Sequence, residues 1–295
     1  PPMERGCDMA GLPSTVPLSA TDLCPRIGSQ VAIGISDLLD GRHAGALRDL
    51  LVRRGVLVVR GIGLDDDQLR AFARTMGDLR LGTVKKEGEE GLMRVTMDEK
   101  ENPDYARFFF GSQLWHMDGT YEEVPPFATM LTPRVLSASG GDTLFANNYA
   151  AWEDLPDEEK ARLDGLEVVH TMQAALFPAK RDCTPEEFAL WSGYPARRHP
   201  LVWHHRSGRR SLVLSTSASH VVGMDPTESH DLLQRLMAHA TQPRYVYRHQ
   251  WRMGDLLMWD NTGTMHRVLP FDAANGRRLH RCTLNGEEPT GRPAA

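Results

Sequence analysis

The sequence predicts a mainly β protein with flanking helices and a double-stranded β-helix, or jelly-roll, core. Short apolar segments rich in β-branched and aromatic residues recur along the chain, and turn-forming residues separate them. Two groups of potential metal ligands, one near residue 116 and one near residue 266, lie at the ends of such segments. In a jelly roll, strands that are distant in sequence end side by side, so this fold would bring the two groups together.

The domain organisation predicted from the sequence is simple. The chain is long enough for one large domain with a sizeable core, which we assign to residues 26–286. Residues 1–25 are rich in Pro, Ser and Thr and lack the basic start and apolar run of a secretory signal, so we interpret them as a flexible tail. Residues 287–295 are interpreted as a C-terminal tail.

The first part of the predicted domain contains two helices and a buried strand. Apolar residues follow near-helical spacing from residue 37 to Gly55, and the apolar run Val56–Val59 then predicts a strand. Acidic residues at 65–67 favour a helix N-terminus. The apolar face expected for this second helix consists of Leu69, Phe72, Ala73 and Met76. Residues 99–107 are polar and predict a loop before the first ligand group.

Strands dominate the remainder of the predicted domain. The segments with strand character are Phe127–Val135, Thr143–Ala146, Leu166–Met172, Leu201–His205, Leu212–Leu214, Tyr245–Trp251, Leu256–Trp259 and Arg278–Leu284. Helices are expected to begin near Pro156 and after Asp225, where Pro226 fits a first helical position. Residues 173–198 have little periodicity and much Pro, Gly and charge, which indicates a long, lid-like insertion.

The composition excludes several classes of protein. With 41% hydrophobic and 25% charged residues, the chain is typical of globular proteins rather than of disordered or membrane-embedded ones. The net charge of -5 and the lack of a dense Lys/Arg cluster argue against a nucleic-acid partner. The scattered cysteines predict reduced thiols in a cytoplasmic protein; they are Cys7, Cys24, Cys183 and Cys282. We also expect a homo-oligomer, a dimer or tetramer, that acts on a small molecule.

The segment Leu114–Gly119 places a histidine and an aspartate two residues apart. On an extended segment residues i and i+2 share a face, so His116 and Asp118 can reach one ion from the same side. His266, far along the chain, supplies a third candidate ligand. Two histidines and one carboxylate, with part of the coordination sphere left open, form the ligand set of non-heme Fe(II) oxygenases.

A pair of arginines strengthens this interpretation, because an isolated His-x-Asp is a weak motif. Residues 277–284 alternate like a strand and place Arg277 and Arg281 on one face, so that both can point inward. The pair His204-His205 offers no comparable site, since neighbours on a strand face opposite ways.

The chain resembles the taurine dioxygenase family of Fe(II)/2-oxoglutarate-dependent dioxygenases, which also includes chlorophenoxyacetate dioxygenases. The matching pieces occur in the family's order: Trp-His-x-Asp at 115–118, Gly-Gly-Asp-Thr at 140–143, Trp-Asp-Asn at 259–261, His266, and arginines at 277 and 281. The likeness extends over about residues 25–286. One departure is Ser112, where the member that acts on taurine has an amide residue, and this argues against taurine itself.

The resemblance implies a function and a role for each matching residue. Iron would be bound by His116, Asp118 and His266. The distal carboxylate of 2-oxoglutarate would be held by Arg277 and Thr143. Arg281 would face the prime substrate, and Ser112 and Met117 are further candidate substrate contacts. The expected reaction consumes O2 and 2-oxoglutarate, hydroxylates a C-H bond of a small anionic substrate and releases succinate and CO2.

Several alternatives remain open at this point. The same ligands with zinc or manganese fit a cupin-like hydrolase or isomerase that does not use O2, and a β-helix can also serve as a non-catalytic binding protein. Arg281 can pair with a protein carboxylate instead of the substrate. Four aromatic residues indicate either an apolar or aromatic substrate or ordinary core packing; they are Phe108, Phe109, Phe110 and Tyr121. Trp115 and Trp259 indicate either core packing or exclusion of water from a reactive oxidant.

Overall fold

A computed structural model describes residues 18–81 and 90–291 of the protein. The strands are β1 Ser19–Asp22, β2 Ser29–Ala32, β3 Val56–Val59, β4 Met93–Thr96, β5 Ala128–Val135, β6 Thr143–Asn147, β7 Glu167–His170, β8 Arg197–Pro200, β9 Val202–His204, β10 Arg210–Leu212, β11 Ala218–Val221, β12 Val246–His249, β13 Leu256–Asp260, β14 Thr264–Val268 and β15 Arg278–Thr283. The helices are α1 Ile35–Leu39, α2 Ala44–Arg54, α3 Asp66–Met76, α4 Pro103–Phe108, α5 Asn148–Glu153, α6 Asp157–Leu163, α7 Met172–Leu176, α8 Pro185–Ser192 and α9 Pro226–Ala240, with 3₁₀ turns at Phe109–Gln113 and Pro243–Tyr245.

Two sheets form the core of the fold. The larger has seven strands in the order β1-β2-β3-β13-β5-β15-β4, and the smaller has three in the order β12-β6-β14. Most neighbouring strands are antiparallel, and β2 and β3 run parallel. Strands that are far apart in sequence are therefore neighbours in space, as the jelly-roll prediction required. Smaller sheets, β11-β7-β8 and β10-β9, extend the structure on one side.

Side chains alternate along the strands between two apolar layers. The inner core lies between the two sheets, and the outer layer lies between the larger sheet and the helices α2 and α3. On β13, Leu257 and Trp259 lie in the core shared with Phe145 of the smaller sheet. Leu256 and Met258, on the opposite face, pack in a separate core with residues of α2 and α3. Apolar area buried in these layers contributes about 25 cal/mol per Å² to stability. The inner layer also borders the site, because the rings of Phe145 and Trp259 contact that of His266.

The helix predicted after residue 65 forms as expected. Asp65 is the N-cap of α3, and its side chain and that of Gln68 form a reciprocal capping box. Such a cap contributes about 1 kcal/mol. The predicted apolar face is buried: Leu69, Phe72, Ala73 and Met76.

The structure corrects both predicted tails. Residues 19–22, assigned to a flexible tail, form β1 and pair with β2. Residues 1–17 lie outside the described part of the chain. In the C-terminal segment, Glu287 pairs with Arg48 and the Thr290 hydroxyl lies 2.6 Å from His199 Nδ1. The ordered domain therefore begins before residue 26 and continues past residue 286.

Two local predictions are also wrong, and the segment predicted as a lid-like insertion has more regular structure than its sequence indicates. The apolar run from residue 37 forms two helices, α1 and α2, rather than one. The polar stretch 99–107 contains α4, because the Asn102 side chain accepts a hydrogen bond from the backbone N-H of Tyr105 and Pro103 fits the first turn. Residues 173–198 contain α7 and α8 and the start of β8. No helix among residues 18–81 and 90–291 is long and apolar enough to cross a membrane.

Candidate metal and cosubstrate site

A single backbone bridge brings the two ligand groups together. The N-H of His116 donates to the carbonyl of His266 at 3.0 Å, and the N-H of His266 donates back at 2.8 Å. His266 lies on β14, whereas residues around His116 form only this isolated bridge rather than the extended strand that the sequence predicted. Asp118 lies in the turn that follows. Gly119 has φ +78°, and a Cβ there would lie 2.3 Å from Pro126 Cδ, so this turn requires glycine.

The three predicted ligands converge. One donor atom from each of His116, Asp118 and His266 lies within 4.8 Å of the others. Asp118 Oδ1 is 3.9 Å from Nε2 of both histidines, and the imidazole centroids are 4.1 Å apart. His116 Nδ1 donates to the carbonyl of Leu114 at 2.9 Å, and this bond orients the ring so that Nε2 faces Asp118.

The charges at this cluster suit a divalent cation. Burial alone would raise the pKa of Asp118, but Arg281 and the two histidines outweigh it and hold that pKa well below its ordinary value. Burial, followed by the nearby His116, lowers the pKa of His266. A carboxylate and neutral imidazoles are the ligand forms that a metal requires. Cis ligands at roughly 2.1 Å from one ion lie about 3 Å apart, so side-chain rotations that bring these donor atoms about 1 Å closer together would close the site around a metal. The residues therefore fit Fe(II).

Arg281 contacts one of these ligands directly. Its Nη2 donates to Asp118 Oδ2 at 2.6 Å and to Thr129 Oγ1 at 3.3 Å, and its Nε donates to Thr283 Oγ1 at 3.0 Å. Among the described residues, none accepts a hydrogen bond from Nη1. The guanidinium thus pairs with a protein carboxylate and still has two N-H donors for another anion.

Arg277 and Thr143 lie together on the inner side of the sheets. Arg277 is 5% exposed, and its Nη2 donates to the carbonyl of Gly141 at 3.0 Å. A Cβ at Gly141 would lie 2.8 Å from Arg277 Nε, which explains a glycine in the Gly-Gly-Asp-Thr motif. Thr143 begins β6, faces the same side as Phe145, and accepts a hydrogen bond from Trp251 Nε1 at 3.0 Å. No carboxylate among the described residues pairs with Arg277, so an anionic ligand would meet an unneutralised cation.

Tyr105 is a site residue that the sequence-based analysis missed. It lies on α4, in the stretch predicted to be a loop, and its ring packs on the inner core. Its hydroxyl lies near the Ser112 side chain and within electrostatic reach of Arg277, Arg281 and Asp118, while burial raises its pKa. The Asn-Pro cap before Tyr105 was the available sequence signal for this helix.

The side chain of Met117 does not line the candidate site. Its side chain is 3% exposed and packs with Trp203 and Val213 in a small buried cluster. Because it lies between two ligands on an extended backbone, it points away from them. We therefore correct its assignment as a substrate contact and describe it as core packing beneath the ligand turn. Ser112 remains near Tyr105, and its hydroxyl donates to the carbonyl of Phe109 at 2.6 Å.

Aromatic rings surround the distal histidine. The Trp259 ring lies 4.8 Å from that of His266, and the Phe145 ring lies 5.9 Å from it. Both aromatic residues are at most 2% exposed, so they pack the core and also exclude water from this side of the cluster. Trp115 is only partly buried and contacts the guanidinium of Arg267 at 5.0 Å. The pair His204 and His205 has separate structural partners, Asp164 and Glu288.

A jelly-roll core with two histidines and one carboxylate on its inner face defines a metal-dependent oxygenase of the facial-triad class. Residues 19–283 match the protein family described as "Taurine catabolism dioxygenase TauD, TfdA family", and the chain belongs to this family. It is therefore an Fe(II)- and 2-oxoglutarate-dependent dioxygenase, as the sequence predicted, rather than a metal hydrolase.

Known relatives and a solved structure agree with this assignment. An alpha-ketoglutarate-dependent 2,4-dichlorophenoxyacetate dioxygenase from Burkholderia sp. (strain RASC) is 37% identical over 247 residues, which cover 79% of this chain and 82% of the relative. An alpha-ketoglutarate-dependent sulfate ester dioxygenase from Pseudomonas putida is 30% identical over 296 residues, covering 96% and 94%. The crystal structure of AAD-2 in complex with Mn(II) and N-oxalylglycine has a TM-score of 0.78 at 30% identity, covering 94% of this chain and 100% of that one. Alpha-ketoglutarate is 2-oxoglutarate.

Proposed function

We propose that the protein hydroxylates a small organic anion, and that Arg281 binds the carboxylate, sulfonate or sulfate group of this substrate. The observation that supports the proposal is the unused half of the Arg281 guanidinium. Its Nη2 and Nε are bonded to Asp118, Thr129 and Thr283, whereas Nη1 has no acceptor among the described residues. Nη1 is not among the buried polar atoms that lack a partner, so it can be reached from solvent and its two N-H donors are available to a substrate anion.

The other site residues receive distinct roles in this proposal. His116, Asp118 and His266 would hold Fe(II), which with O2 and 2-oxoglutarate supplies the oxidant for the C-H bond. Arg277 would hold the distal carboxylate of 2-oxoglutarate, since a guanidinium stays charged and offers parallel N-H donors to a carboxylate. Thr143 would donate one more hydrogen bond to that carboxylate.

Tyr105 and Ser112 would complete the recognition of the substrate anion. Tyr105 is a hydroxyl donor within electrostatic reach of both arginines. Ser112 donates its O-H proton to the carbonyl of Phe109, so it would have to rotate its hydroxyl to donate to the anion. Because its hydroxyl is neutral, Tyr105 could donate a hydrogen bond to an anion bound by Arg277 or Arg281 without adding charge to the site. The similarity to a chlorophenoxyacetate dioxygenase and to a sulfate ester dioxygenase also supports an anionic substrate. Phe109, whose ring lies 5.8 Å from that of Tyr105, is the nearest candidate for contact with an apolar part of the substrate.

A substrate panel tests the proposal. The protein with Fe(II), 2-oxoglutarate and O2 is given aryloxyacetates, alkyl sulfates and alkyl sulfonates, each beside the matched neutral amide or alcohol, and substrate-dependent succinate is measured. We expect succinate only with members of the anionic series. Equal stimulation by an anion and its neutral partner would contradict the role of Arg281.

The assignment of the metal ligands has its own test. His116→Ala, Asp118→Ala and His266→Ala should each abolish Fe(II)-dependent quenching of protein fluorescence and lower turnover by several orders of magnitude, because a three-ligand site loses one donor. His220→Ala, on the exposed side of β11, is the matched control and should behave as the wild type. Full activity in a ligand variant would remove that residue from the site.

We also propose a single catalytic domain, a cytoplasmic location and a homo-oligomeric state. The described cysteines Cys24, Cys183 and Cys282 are unpaired, which fits a reducing compartment. Light scattering on the purified protein would determine whether it is a dimer or a tetramer.

A further inference from the structure

The indole of Trp251 fixes the direction of a hydrogen bond at Thr143. Trp251 Nε1 lies 3.0 Å from Thr143 Oγ1, and an indole nitrogen can only donate. Thr143 must therefore accept, and its own O-H proton points elsewhere. No second hydrogen bond of this hydroxyl is made within the described residues. Without the indole, the hydroxyl would be free to rotate and to present a lone pair, rather than a proton, to a bound anion.

A buried chain of contacts holds the Trp251 ring in place. The ring meets that of His249 edge to face at 4.4 Å, and His249 is completely buried. His249 Nδ1 is hydrogen-bonded to the Tyr247 hydroxyl at 3.0 Å, and its Nε2 lies 3.3 Å from Asp255 Oδ2 without forming a hydrogen bond. Asp255 is itself buried and pairs with Arg60. The ring contact with His249, the hydrogen bond from His249 to Tyr247 and the pair of Asp255 with Arg60 restrict the rotation of these side chains.

These contacts between Trp251, His249, Asp255 and Arg60 connect the two sheets at the end where Thr143 lies. His249 ends β12 and stands opposite Thr143 in the smaller sheet. Asp255 precedes β13, and Arg60 follows β3, so both belong to the larger sheet. A rigid connection at this point fixes Thr143 relative to Arg277, which lies just before β15 of the larger sheet.

We propose that Trp251 is a positioning residue for the cosubstrate: it orients the Thr143 hydroxyl as a donor to the distal carboxylate of 2-oxoglutarate, and His249 and Asp255 fix the ring that does so. The inference rests on the proposed assignment of Thr143 and Arg277 to that carboxylate. Its consequence is selectivity between oxo acids, because only an oxo acid with a distal carboxylate gains from an oriented hydroxyl.

The test compares Trp251→Phe with the wild type. Calorimetry with Mn(II) in place of iron gives the Kd of 2-oxoglutarate and of 2-oxopentanoate, which has the same chain length without the distal carboxylate. The variant should bind 2-oxoglutarate about three- to ten-fold more weakly, because the Thr143 hydroxyl remains but is no longer held as a donor to the carboxylate, with no change for 2-oxopentanoate. In turnover, KM for 2-oxoglutarate should change more than kcat. Trp152→Phe, a buried tryptophan on α5, is the matched control and should change neither Kd.

A double-mutant cycle separates this role from a structural one. In a Thr143→Val background, Trp251→Phe should have no further effect on the Kd of 2-oxoglutarate, since the hydroxyl is already gone. If Trp251→Phe does not fold, β-(3-benzothienyl)alanine at position 251 removes only the N-H and should give the same three- to ten-fold loss. An equal loss for both oxo acids, or an effect that persists in Thr143→Val, would overturn the inference.

Arg277→Leu distinguishes failure of this inference from failure of the proposed function. Loss of 2-oxoglutarate binding in Arg277→Leu together with an unchanged Kd in Trp251→Phe would overturn only the role of Trp251. An unchanged Kd in Arg277→Leu would overturn the assignment of the cosubstrate site on which that role depends.

Discussion

At the scale of the residue, Arg281 combines two roles that the sequence presents as alternatives. The sequence leaves it either as a substrate ligand or as a partner for a protein carboxylate. In the structure one side of the guanidinium neutralises Asp118, and the Nη1 side has no acceptor among the described residues. One cation therefore supports a metal ligand and provides donors beside it, and this dual role makes lysine a poor replacement.

Arginine at position 281 can be tested with two substitutions. Arg281→Lys keeps a charge near Asp118 but loses the planar fork, and Arg281→Gln loses the charge. We expect both to raise the apparent KM of the anionic substrate by roughly 10- to 100-fold, equivalent to about 1.5–3 kcal/mol for a charge-assisted pair. Only Arg281→Gln should also destabilise the metal-free protein, because Asp118 then loses its counter-charge. An unchanged KM in both variants would make the arginine purely structural.

Single residues also show how far sequence reasoning extends. The identities of the predicted ligands follow from residue type and order, and the structure brings His116, Asp118 and His266 together. The geometry that joins them does not follow from local sequence, because the bridge between His116 and His266 is a long-range pairing. Tyr105 was missed for a similar reason, since it reaches the site only through the packing of α4 on the inner core.

At the scale of the element, the sheet β11-β7-β8 supports the turn that carries Asp118. His170 of β7 bonds through Nδ1 to the Ser217 hydroxyl at 2.8 Å, and Ser217 bonds to the Thr120 hydroxyl at 2.9 Å. His199 Nε2 donates to the carbonyl of Thr120 at 2.9 Å. Two buried histidines thus hold the residue that lies two positions after the metal ligand. The strands themselves were largely predictable from apolar alternation, whereas this polar network between them was not.

Protonation of His170 should destabilise the protein in acid. Burial, with a smaller effect of His199, lowers the pKa of His170 to about 3, against roughly 6.5 in the unfolded chain. Below pH 6.5 the unfolded chain binds a proton that the folded state excludes until about pH 3. The free energy of unfolding therefore falls with decreasing pH, by at most about 1.4 kcal/mol per unit from this group.

The pH dependence of His170 can be isolated by substitution. Urea unfolding of the metal-free protein at pH 7.5 and pH 5 gives the acid loss of stability, which should be smaller in His170→Gln than in the wild type. His220→Gln, at an exposed position on the neighbouring strand β11, should keep the wild-type loss. The same pH dependence in all three proteins would show that His170 does not titrate in this way.

At the scale of the whole molecule, two segments distant in sequence form one cap, which we define as residues 103–113 and 172–194. Leu176 packs directly on Gly111, where an added Cβ would lie 2.7 Å from Leu176 Cδ2. The Phe110 and Trp191 rings lie 6.1 Å apart, and the Phe108 and Tyr194 rings 6.2 Å apart. The cap therefore links the insertion predicted as a lid to the helix that carries Tyr105. Its aromatic residues pack mainly against one another, which favours a cohesive cap over a separate aromatic pocket.

Substrate binding should order this cap. An anion held by Arg281 on the sheet and by Tyr105 and Ser112 on the cap would connect the two, and local opening of the cap would then require that connection to break. We expect slower amide hydrogen exchange in residues 103–113 and 172–194 when the best anion of the panel is added to protein with Mn(II) and N-oxalylglycine. Exchange in α9, which packs on the far side of the smaller sheet, should not change. The protection should disappear in Arg281→Gln. Protection by Mn(II) and N-oxalylglycine alone, or equal protection in that variant, would show that the anion does not join the cap to the sheet.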